Sequence, residues 1–424
     1  MPPTIDTPAI QVLLRYLEGE GVDYIFGIPG GPLMPLYEGI FDRRRNSTKW
    51  LINDPQRNIE HAWAIAGTPY VAVLEIKNAH EHCFLFDVVT RREVHLVPSD
   101  TDGTLIPLAP ASDCQWIGIY YDSRKPVDLV RFSLPNSGCL VGWEAVPRGA
   151  CRVRTRSLTG YRGISRKRLV AAEDFFWQSS DGLDLHGFIY RANAPIGTIV
   201  LVHGGPRDHS EARFDAKVQF LASRGFNVFQ PNYRGSTGYG LRFQESIKAD
   251  GWGAMEQEDI RTGIQALIAA GVARAGRIGM TGTSYGGYSA WWAITHFPTK
   301  LVAAAAPICG MTDLIVDYNT TRPDLRSLSE EMMGGSPLEI PEKYRERSPI
   351  NYVQRIKGKL LIVQGQQDAN VTPENVRLVR KALDDAGIAY GLLEFEDEGH
   401  GVYKRENVEL LLERLADFFR KSLA

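Results

Sequence analysis

Two observations place most of this chain in the α/β class. From residue 166 to the end, apolar runs of strand length alternate with runs of helical periodicity, and glycine-rich turns follow the strands. A third observation sets the front apart: between residues 44 and 165 the pattern is short strands alone, divided by turn residues. The expected architecture is a doubly wound, mostly parallel sheet with helices on both faces, preceded by a partial β-propeller-like all-β region. A chain of 424 residues exceeds one ordinary domain, and the changes of pattern divide it at 1–43, 44–165 and 166–424.

Residues 9–42 read as helix, strand, glycine turn and helix. Ile10, Leu13, Leu14 and Leu17 recur at helical spacing, Val22–Phe26 is a short apolar strand, and Gly27-Ile-Pro-Gly-Gly-Pro32 follows. The stretch resembles the first segment of thiamine-diphosphate enzymes such as acetolactate synthase. That resemblance implies a further domain with a Gly-Asp-Gly motif for metal and diphosphate, and no Gly-Asp-Gly occurs in the chain. Residues 1–43 are therefore expected to be an appendage without a cofactor site.

In the all-β stretch the strands are Tyr70–Glu75, Cys83–Asp87, Glu93–Val97, Trp116–Tyr121 and Leu129–Ser133, with turn residues such as Pro135-Asn-Ser-Gly138 around them. A propeller blade takes roughly 40–50 residues, so the stretch supplies two to three blades against the usual four to eight. His80 and His82 share a face of a turn or strand, a hint of metal binding. With no carboxylate or third histidine at ligand spacing, a solvated face and no metal are expected.

Beyond residue 166 the elements come in order. Strands at 184–191 and 198–202 lead to His203-Gly-Gly-Pro206, and a helix at 211–224 leads to a strand at 226–230. Pro231–Gly240 is a glycine-rich loop, and a helix spans about 256–270. The apolar run from Arg277 ends in Gly282-Thr-Ser-Tyr-Gly286, followed by a helix from Tyr288 to His296. A strand at 301–306, an irregular stretch at 311–350, a strand at 359–364, a helix at 373–386, a strand at 390–396 and a helix at 406–421 complete the chain. In such sheets the ligand site lies beyond the carboxyl ends of the strands.

A Gly-x-Ser-x-Gly turn alone is weak, since chance produces one in roughly one chain in four of this length and glycine content. Its context is stronger. Ser284, Asp368 and His400 each follow a strand, on one edge of the sheet, in the Ser, Asp, His order of an α/β-hydrolase fold. A serine hydroxyl needs a base to become a nucleophile; an imidazole serves, and a carboxylate fixes its tautomer. Gly204 and Gly205 follow another strand on the same edge. Their open backbone, with the N–H of Tyr285, is suited to an oxyanion hole.

The motifs His203-Gly-Gly-Pro206, Asn232-Tyr-Arg-Gly-Ser-Thr-Gly-Tyr-Gly240, Gly282-Thr-Ser-Tyr-Gly-Gly-Tyr288 and Asp397-Glu-Gly-His-Gly401 resemble the prolyl oligopeptidase family in its acylaminoacyl-peptidase-like branch, over about residues 165–424. The strands beginning Asn58-Ile-Glu-His61 are similar to part of that family's propeller. The resemblance implies Ser284 as nucleophile, Asp368 and His400 as its partners, and Gly204, Gly205 and Tyr285 around the oxyanion. It also implies cleavage of short peptides or acyl-peptides, because the family's propeller screens out folded proteins; with two or three blades that filter is incomplete. No paired-glutamate signature for a free amino terminus is evident.

Composition narrows the setting. A formal net charge of −2 gives no electrostatic case for nucleic acid or an anionic membrane, and the basic triplet Arg43-Arg44-Arg45 reads as a solvated linker. Five cysteines (Cys83, Cys114, Cys139, Cys151 and Cys309) without C-x-x-C spacing suggest neither a disulfide framework nor a zinc site. The start, Met1-Pro-Pro-Thr-Ile-Asp6, lacks signal-peptide character and no apolar run reaches membrane-spanning length. A cytoplasmic serine hydrolase acting on a short peptide or small acyl substrate is expected. A homodimer that covers open sheet edges is a further expectation. The alternative is an esterase, thioesterase or amidase on small metabolites. A thiamine-dependent lyase and a non-catalytic binding protein fit the residues less well.

Overall fold

The structure is a computed structural model that describes residue 52 and residues 58–65, 67–98, 103–111, 115–133, 151–153, 155–157 and 165–423. The expectations for residues 1–43 lie outside the described residues. Two compact units form. The first holds the strands between residues 58 and 157, except residues 78–80 and 123–126, which group with the second unit, residues 162 onward.

The first unit has strands β1 (Asn58–Ala64), β2 (Tyr70–Lys77), β3 (His80–Asp87), β4 (Arg92–Pro98), β5 (Thr104–Pro110), β6 (Gln115–Asp122), β7 (Lys125–Ser133), β8 (Cys151–Val153) and β9 (Thr155–Ser157). They form two sheets, β1-β2-β3-β4-β8 and β5-β6-β7-β9, whose sequential neighbours are mostly antiparallel hairpins. Among the described residues these two sheets fall within the two to three blades read from the sequence. Period-two side-chain alternation sorts the core: Tyr70, Ala72 and Leu74 join Leu85, Trp116 and Phe132 on one face, while Val71, Val73, Phe84 and Phe86 pack on the other. β2 and β3 thus bury both faces, which explains their near-continuous apolar runs. Asn78 and Ala79 connect them with φ of 49° and 54°, the left-handed pair that a two-residue hairpin uses to match strand twist.

The second unit has strands β10 (Glu173–Gln178), β11 (Asp184–Tyr190), β12 (Gly197–Val202), β13 (Phe226–Asn232), β14 (Ile278–Thr283), β15 (Ala304–Ile308), β16 (Lys359–Gly365) and β17 (Gly391–Phe395). Their order is β10-β11-β13-β12-β14-β15-β16-β17. The first two pairings are antiparallel and the rest parallel, so the sheet is mixed at one edge, where strand β10 had no counterpart in the sequence reading. The helices are α1 (Ala216–Ser223), α2 (Leu241–Glu245), α3 (Met255–Ala269), α4 (Tyr285–His296), α5 (Leu314–Thr320), α6 (Pro323–Met333), α7 (Pro341–Glu346), α8 (Pro373–Asp385) and α9 (Arg405–Ser422). Val200 and Val202 of β12 pack with Ile260 and Ile264 of α3, Trp291 of α4 and Val379 of α8. Ile199 and Leu201 pack on the opposite face with Val218 of α1 and Leu415 and Phe419 of α9. Side chains that alternate between two covered faces are why the central strands are apolar at every position.

Several elements differ from expectation. α1 starts at 216, not 211, because the Asp215 carboxylate caps it, accepting from Lys217 N at 2.7 Å and Val218 N at 3.1 Å. β15 starts at 304, since Leu301 and Val302 close a turn onto Pro298 O. The stretch read as irregular, 311–350, carries α5, α6 and α7; α5 and α7, of 7 and 6 residues, offer little periodicity to read, while α6, of 11 residues, carries Leu325, Leu328 and Met332 at helical spacing.

His80 departs from the solvated face expected of it. Its ring lies against Asp174 and His186, on β10 and β11, while His82 is exposed. The partners come from about a hundred residues downstream, so local ligand spacing was blind to them. Among the described residues, Cys83 and Cys309 are buried and unpaired, and no helix is long and apolar enough to cross a membrane.

Candidate active site

The site is built at the carboxyl edge of the second unit's sheet. β14 runs straight into α4, and Ser284, the residue between them, adopts φ 61° and ψ −120°. A non-glycine residue held there is strained, a cost borne where the surrounding packing leaves no alternative. That packing is visible. A Cβ on Gly286 would collide with Val202 O and stand 2.9 Å from Val202 C, and one on Gly282 would stand 2.7 Å from Gly286 C. The turn therefore presses strand β14 and helix α4 against the end of β12, and only glycine fits on either side of the serine. Ser284 N donates to Ile308 O at 3.0 Å and Tyr288 N to Ser284 O at 2.9 Å, which fixes the turn at both ends.

Asp368 follows β16 and His400 follows β17. His400 Nδ1 lies 2.8 Å from Asp368 Oδ2 and 3.1 Å from Oδ1. The carboxylate is buried and also accepts from Asn370 N at 2.8 Å and Val371 N at 3.0 Å. The histidine loop packs on the strand ends: Cys309, the residue after β15, places its Sγ 3.9 Å from Gly399 O. Ile308 O, one residue earlier, holds Ser284 N. The end of β15 thus touches both the serine turn and the histidine loop. The structure brings Asp368 and His400 together; among the described residues no hydrogen bond joins Ser284 Oγ to His400. Such bonds are commonly loose without substrate and tighten in the reacting complex.

The glycine loop after β12 reaches the serine. A Cβ on Gly204 would stand 3.6 Å from Ser284 Cβ and 3.3 Å from Thr283 O, so the backbone approaches closely where a side chain could not. Gly205 has φ 109°, and its peptide bond to Pro206 is cis. His203 is not a free titrating group: it lies 2.9 Å from Ser236 Oγ through Nε2 and stacks on Tyr233 at 4.4 Å. Burial pushes its pKa down to about 4, so it stays neutral at physiological pH.

Tyr285 supplies the other expected N–H, and its ring is held from two sides. It stacks on Tyr233 at 5.9 Å and meets Trp252 edge-on at 5.5 Å. Its hydroxyl donates to Glu256 Oε1 at 2.9 Å. Glu256 is fully buried and also receives Gly253 N, Ala254 N and Gln257 Nε2. Burial pushes its carboxyl up, and these donors work against that. Tyr233 therefore lies between His203 and Tyr285, one aromatic stack that ties both candidate oxyanion segments together. Arg234 beside it is anchored to α3, with Nε donating to Asp259 Oδ2 and Nη2 to Asp259 Oδ1, both at 2.8 Å.

Ser284, Asp368, His400, Gly204, Gly205 and Tyr285 all take the places read for them at strand ends. The supports Tyr233, Glu256 and the Arg234–Asp259 pair were not assigned a role. Glu256 had a signal only of an ordinary kind, since acidic residues are common in a first helical turn. A cavity of about 500 Å³ opens beside the glycine loop, lined by His203, Gly204, Asp208, His209, Lys217 and Thr283. The chemistry available is proton transfer at a serine, an imidazole held in one tautomer, and backbone donors beside the attacking oxygen.

The chain is 32% identical over 221 residues to dipeptidyl aminopeptidase BIII of Pseudoxanthomonas mexicana, covering 51% of this chain and 32% of that enzyme. It is 25% identical over 225 residues to acylamino-acid-releasing enzyme 1 of Oryza sativa subsp. japonica, covering 51% and 29%. The chain thus spans about a third of the length of these curated relatives. The Pyrococcus horikoshii acylaminoacyl peptidase superposes with a TM-score of 0.71 at 24% identity, over 88% of this chain and 57% of that one, a likeness of fold. Residues 212–424 match the prolyl oligopeptidase family. That stretch runs from the exit of the glycine loop through the serine turn to the last helix and takes in half the chain; on it, the chain belongs to the prolyl oligopeptidase family.

Proposed function

We propose that this chain is a serine peptidase that cleaves short peptides or acyl-peptides through an acyl-enzyme. Ser284 is the nucleophile, His400 its base and then its acid, and Asp368 the group that orients the imidazole. The observation that carries the reading is the His400 Nδ1 to Asp368 hydrogen bond of 2.8 Å on the same sheet edge as a serine held at φ 61°. With Nδ1–H donated to the carboxylate, Nε2 keeps its lone pair for the serine proton. Attack on the scissile carbonyl moves negative charge onto its oxygen, where the N–H groups of the 204–205 loop and of Tyr285 are suited to receive it. His400 then returns its proton to the leaving amine, and water repeats the sequence on the acyl-enzyme.

The named relatives are peptidases of dipeptidyl and acylamino-acid-releasing type, which supports a peptide over a metabolite ester. Esters with good leaving groups should still turn over, since an alkoxide or phenolate needs less protonation than an amine. The buried thiols of Cys83 and Cys309 support a reducing, cytoplasmic setting.

The test is Ser284→Ala on the full chain, assayed with blocked peptides, acyl-peptides and p-nitrophenyl esters. Turnover is expected to fall by up to about a million-fold, as for other serine hydrolases. A fluorophosphonate probe should label the wild type and not the variant. Labelling that persists in Ser284→Ala removes the assignment; labelling with ester turnover but no cleavage of any peptide replaces peptidase by esterase.

A further inference from the structure

Outside the triad, one cluster brings together side chains of metal-ligating type. His80 opens β3 after the two-residue turn at Asn78 and Ala79, Asp174 lies on β10, and His186 on β11; all three group within the second unit. One ligand atom from each lies within 4.8 Å of the others. Asp174 Oδ1 is 2.7 Å from His80 Nε2 and 2.9 Å from His186 Nε2. Both imidazoles therefore present the same nitrogen to one carboxylate oxygen, where each can donate a proton or, with the proton displaced, a lone pair.

The surroundings are those of a ligand site. His186 is 3% exposed, and its other nitrogen, Nδ1, is 2.6 Å from Tyr239 Oη. Tyr239 Oη accepts in turn from Asn232 Nδ2 at 2.8 Å. A hydroxyl there serves either tautomer by turning its hydrogen. When it accepts from Nδ1–H, Nε2 is free to bind a cation, the outer-shell arrangement common to metal-bound histidine. Phe188 packs edge-on against both rings, at 4.9 Å from His186 and 5.1 Å from His80, and limits water on that side. Asp174 is 46% exposed, so solvent and ions reach its carboxylate.

We propose that His80 Nε2, His186 Nε2 and the Asp174 carboxylate form a three-ligand site for a divalent transition-metal ion of zinc type, with water completing the shell. Two imidazoles and one carboxylate suit zinc over magnesium or calcium, which prefer all-oxygen shells. Tetrahedral zinc with bonds near 2.0–2.1 Å separates its ligand atoms by roughly 3.3 Å. The two nitrogen–oxygen distances of 2.7 and 2.9 Å then need to open by about half an ångström, which half-exposed Asp174 can supply by rotation. Binding requires each imidazole to carry its proton on Nδ1, leaving the Nε2 lone pair for the ion; on His186 that Nδ1–H donates to Tyr239 Oη. The site contains none of the triad residues, and an ion held by the folded chain and not by the unfolded one stabilises the fold.

The test uses the full chain stripped with chelator and titrated with zinc chloride by calorimetry, with cobalt(II) as a visible-absorbing substitute. One equivalent is expected in the wild type, with visible bands of a four- or five-coordinate cobalt site and a raised thermal midpoint. His80→Ala, a partly exposed position, and Asp174→Asn should each weaken binding by at least about tenfold, the lower end of what outer-shell changes alone cost. Ser284 labelling should be unchanged in both. Tyr239→Phe should weaken binding within the same ten- to hundred-fold range. His400→Ala should leave the equivalent in place. The proposal is overturned by absence of a one-equivalent isotherm, by equal binding in His80→Ala and Asp174→Asn, or by loss of the equivalent in His400→Ala, which would put the ion on the triad.

Discussion

At the residue scale, Asp368 shows how a single carboxylate decides the chemistry of its neighbour. Oδ1 is committed to the N–H groups of Asn370 and Val371, so Oδ2 faces His400 Nδ1 at 2.8 Å. In Asp368→Asn the same two N–H groups would keep the amide oxygen in place of Oδ1. The amide NH₂ would then face Nδ1, which must accept, and the ring proton moves to Nε2. An imidazole in that tautomer cannot take the serine proton. The expected outcome is a fall in kcat of about ten-thousandfold with a thermal midpoint close to wild type. Steady-state kinetics and a melting curve check it; near-wild-type kcat would mean that the His400–Asp368 bond does not set the tautomer.

At the element scale, the strand–turn–helix carrying Ser284 depends on contact between backbones. Gly286→Ala would drive a methyl into Val202 O and against His203 O, 3.0 Å from the same position. Either β12 moves away from α4 or the turn opens. Overpacking of this kind costs about 1–3 kcal/mol, and both responses displace the 203–205 loop from the serine. Loss of most activity with a lowered thermal midpoint is expected; full activity in a folded Gly286→Ala would show that the turn has room to spare. This element was legible because its constraint is local: two glycines around a serine between an apolar run and a helical one. Asp368 and His400 were legible for the same reason, each following its own strand. The aromatic stack of His203, Tyr233 and Tyr285, and the nearness of Asp174 to His186 on the paired strands β10 and β11, are products of sheet order. β11 pairs with β13, which joins His186 to Asn232, and no period in the sequence records that pairing. In the α5–α7 stretch, α5 and α7 stay unread because each carries at most two turns of periodicity, whereas the eleven residues of α6 place Leu325, Leu328 and Met332 at helical spacing, a period the sequence reading passes over.

At the scale of the whole molecule, buried titratable groups in the second unit pull its stability in opposite directions with pH. His203 and His296 are both pushed down to about 4 by burial. An unfolded histidine titrates near 6.5, so between about 4 and 6.5 the unfolded chain binds two protons that the folded one refuses. Stability from these groups therefore rises with pH across that window. Asp317, on α5, behaves oppositely. Burial foremost pushes its carboxyl up to about 8, a lone hydrogen bond from Asn375 at 3.3 Å works against this, and the charges of Asp368 and Asp313 add to the rise. An unfolded aspartate titrates near 3.9, so between about 4 and 8 the folded chain holds an extra proton and stability falls as pH rises. Each group contributes a slope of about 1.4 kcal/mol per pH unit within its window. Below about 6.5 two histidines outweigh one aspartate and their net slope is upward; above it, of these three groups, Asp317 is the one that still contributes, and its slope is downward, giving a maximum near pH 6.5 from these three. Asp317→Asn removes that aspartate's downward contribution. Between about pH 6.5 and 8 its unfolding free energy in urea should fall less steeply with pH than the wild type's, by about one proton's slope, and below about pH 6.5 it should climb more steeply than wild type. Parallel profiles for wild type and Asp317→Asn above about pH 6.5 would mean that Asp317 is already ionised in the folded protein, with its charge satisfied inside the α5–α8 contact.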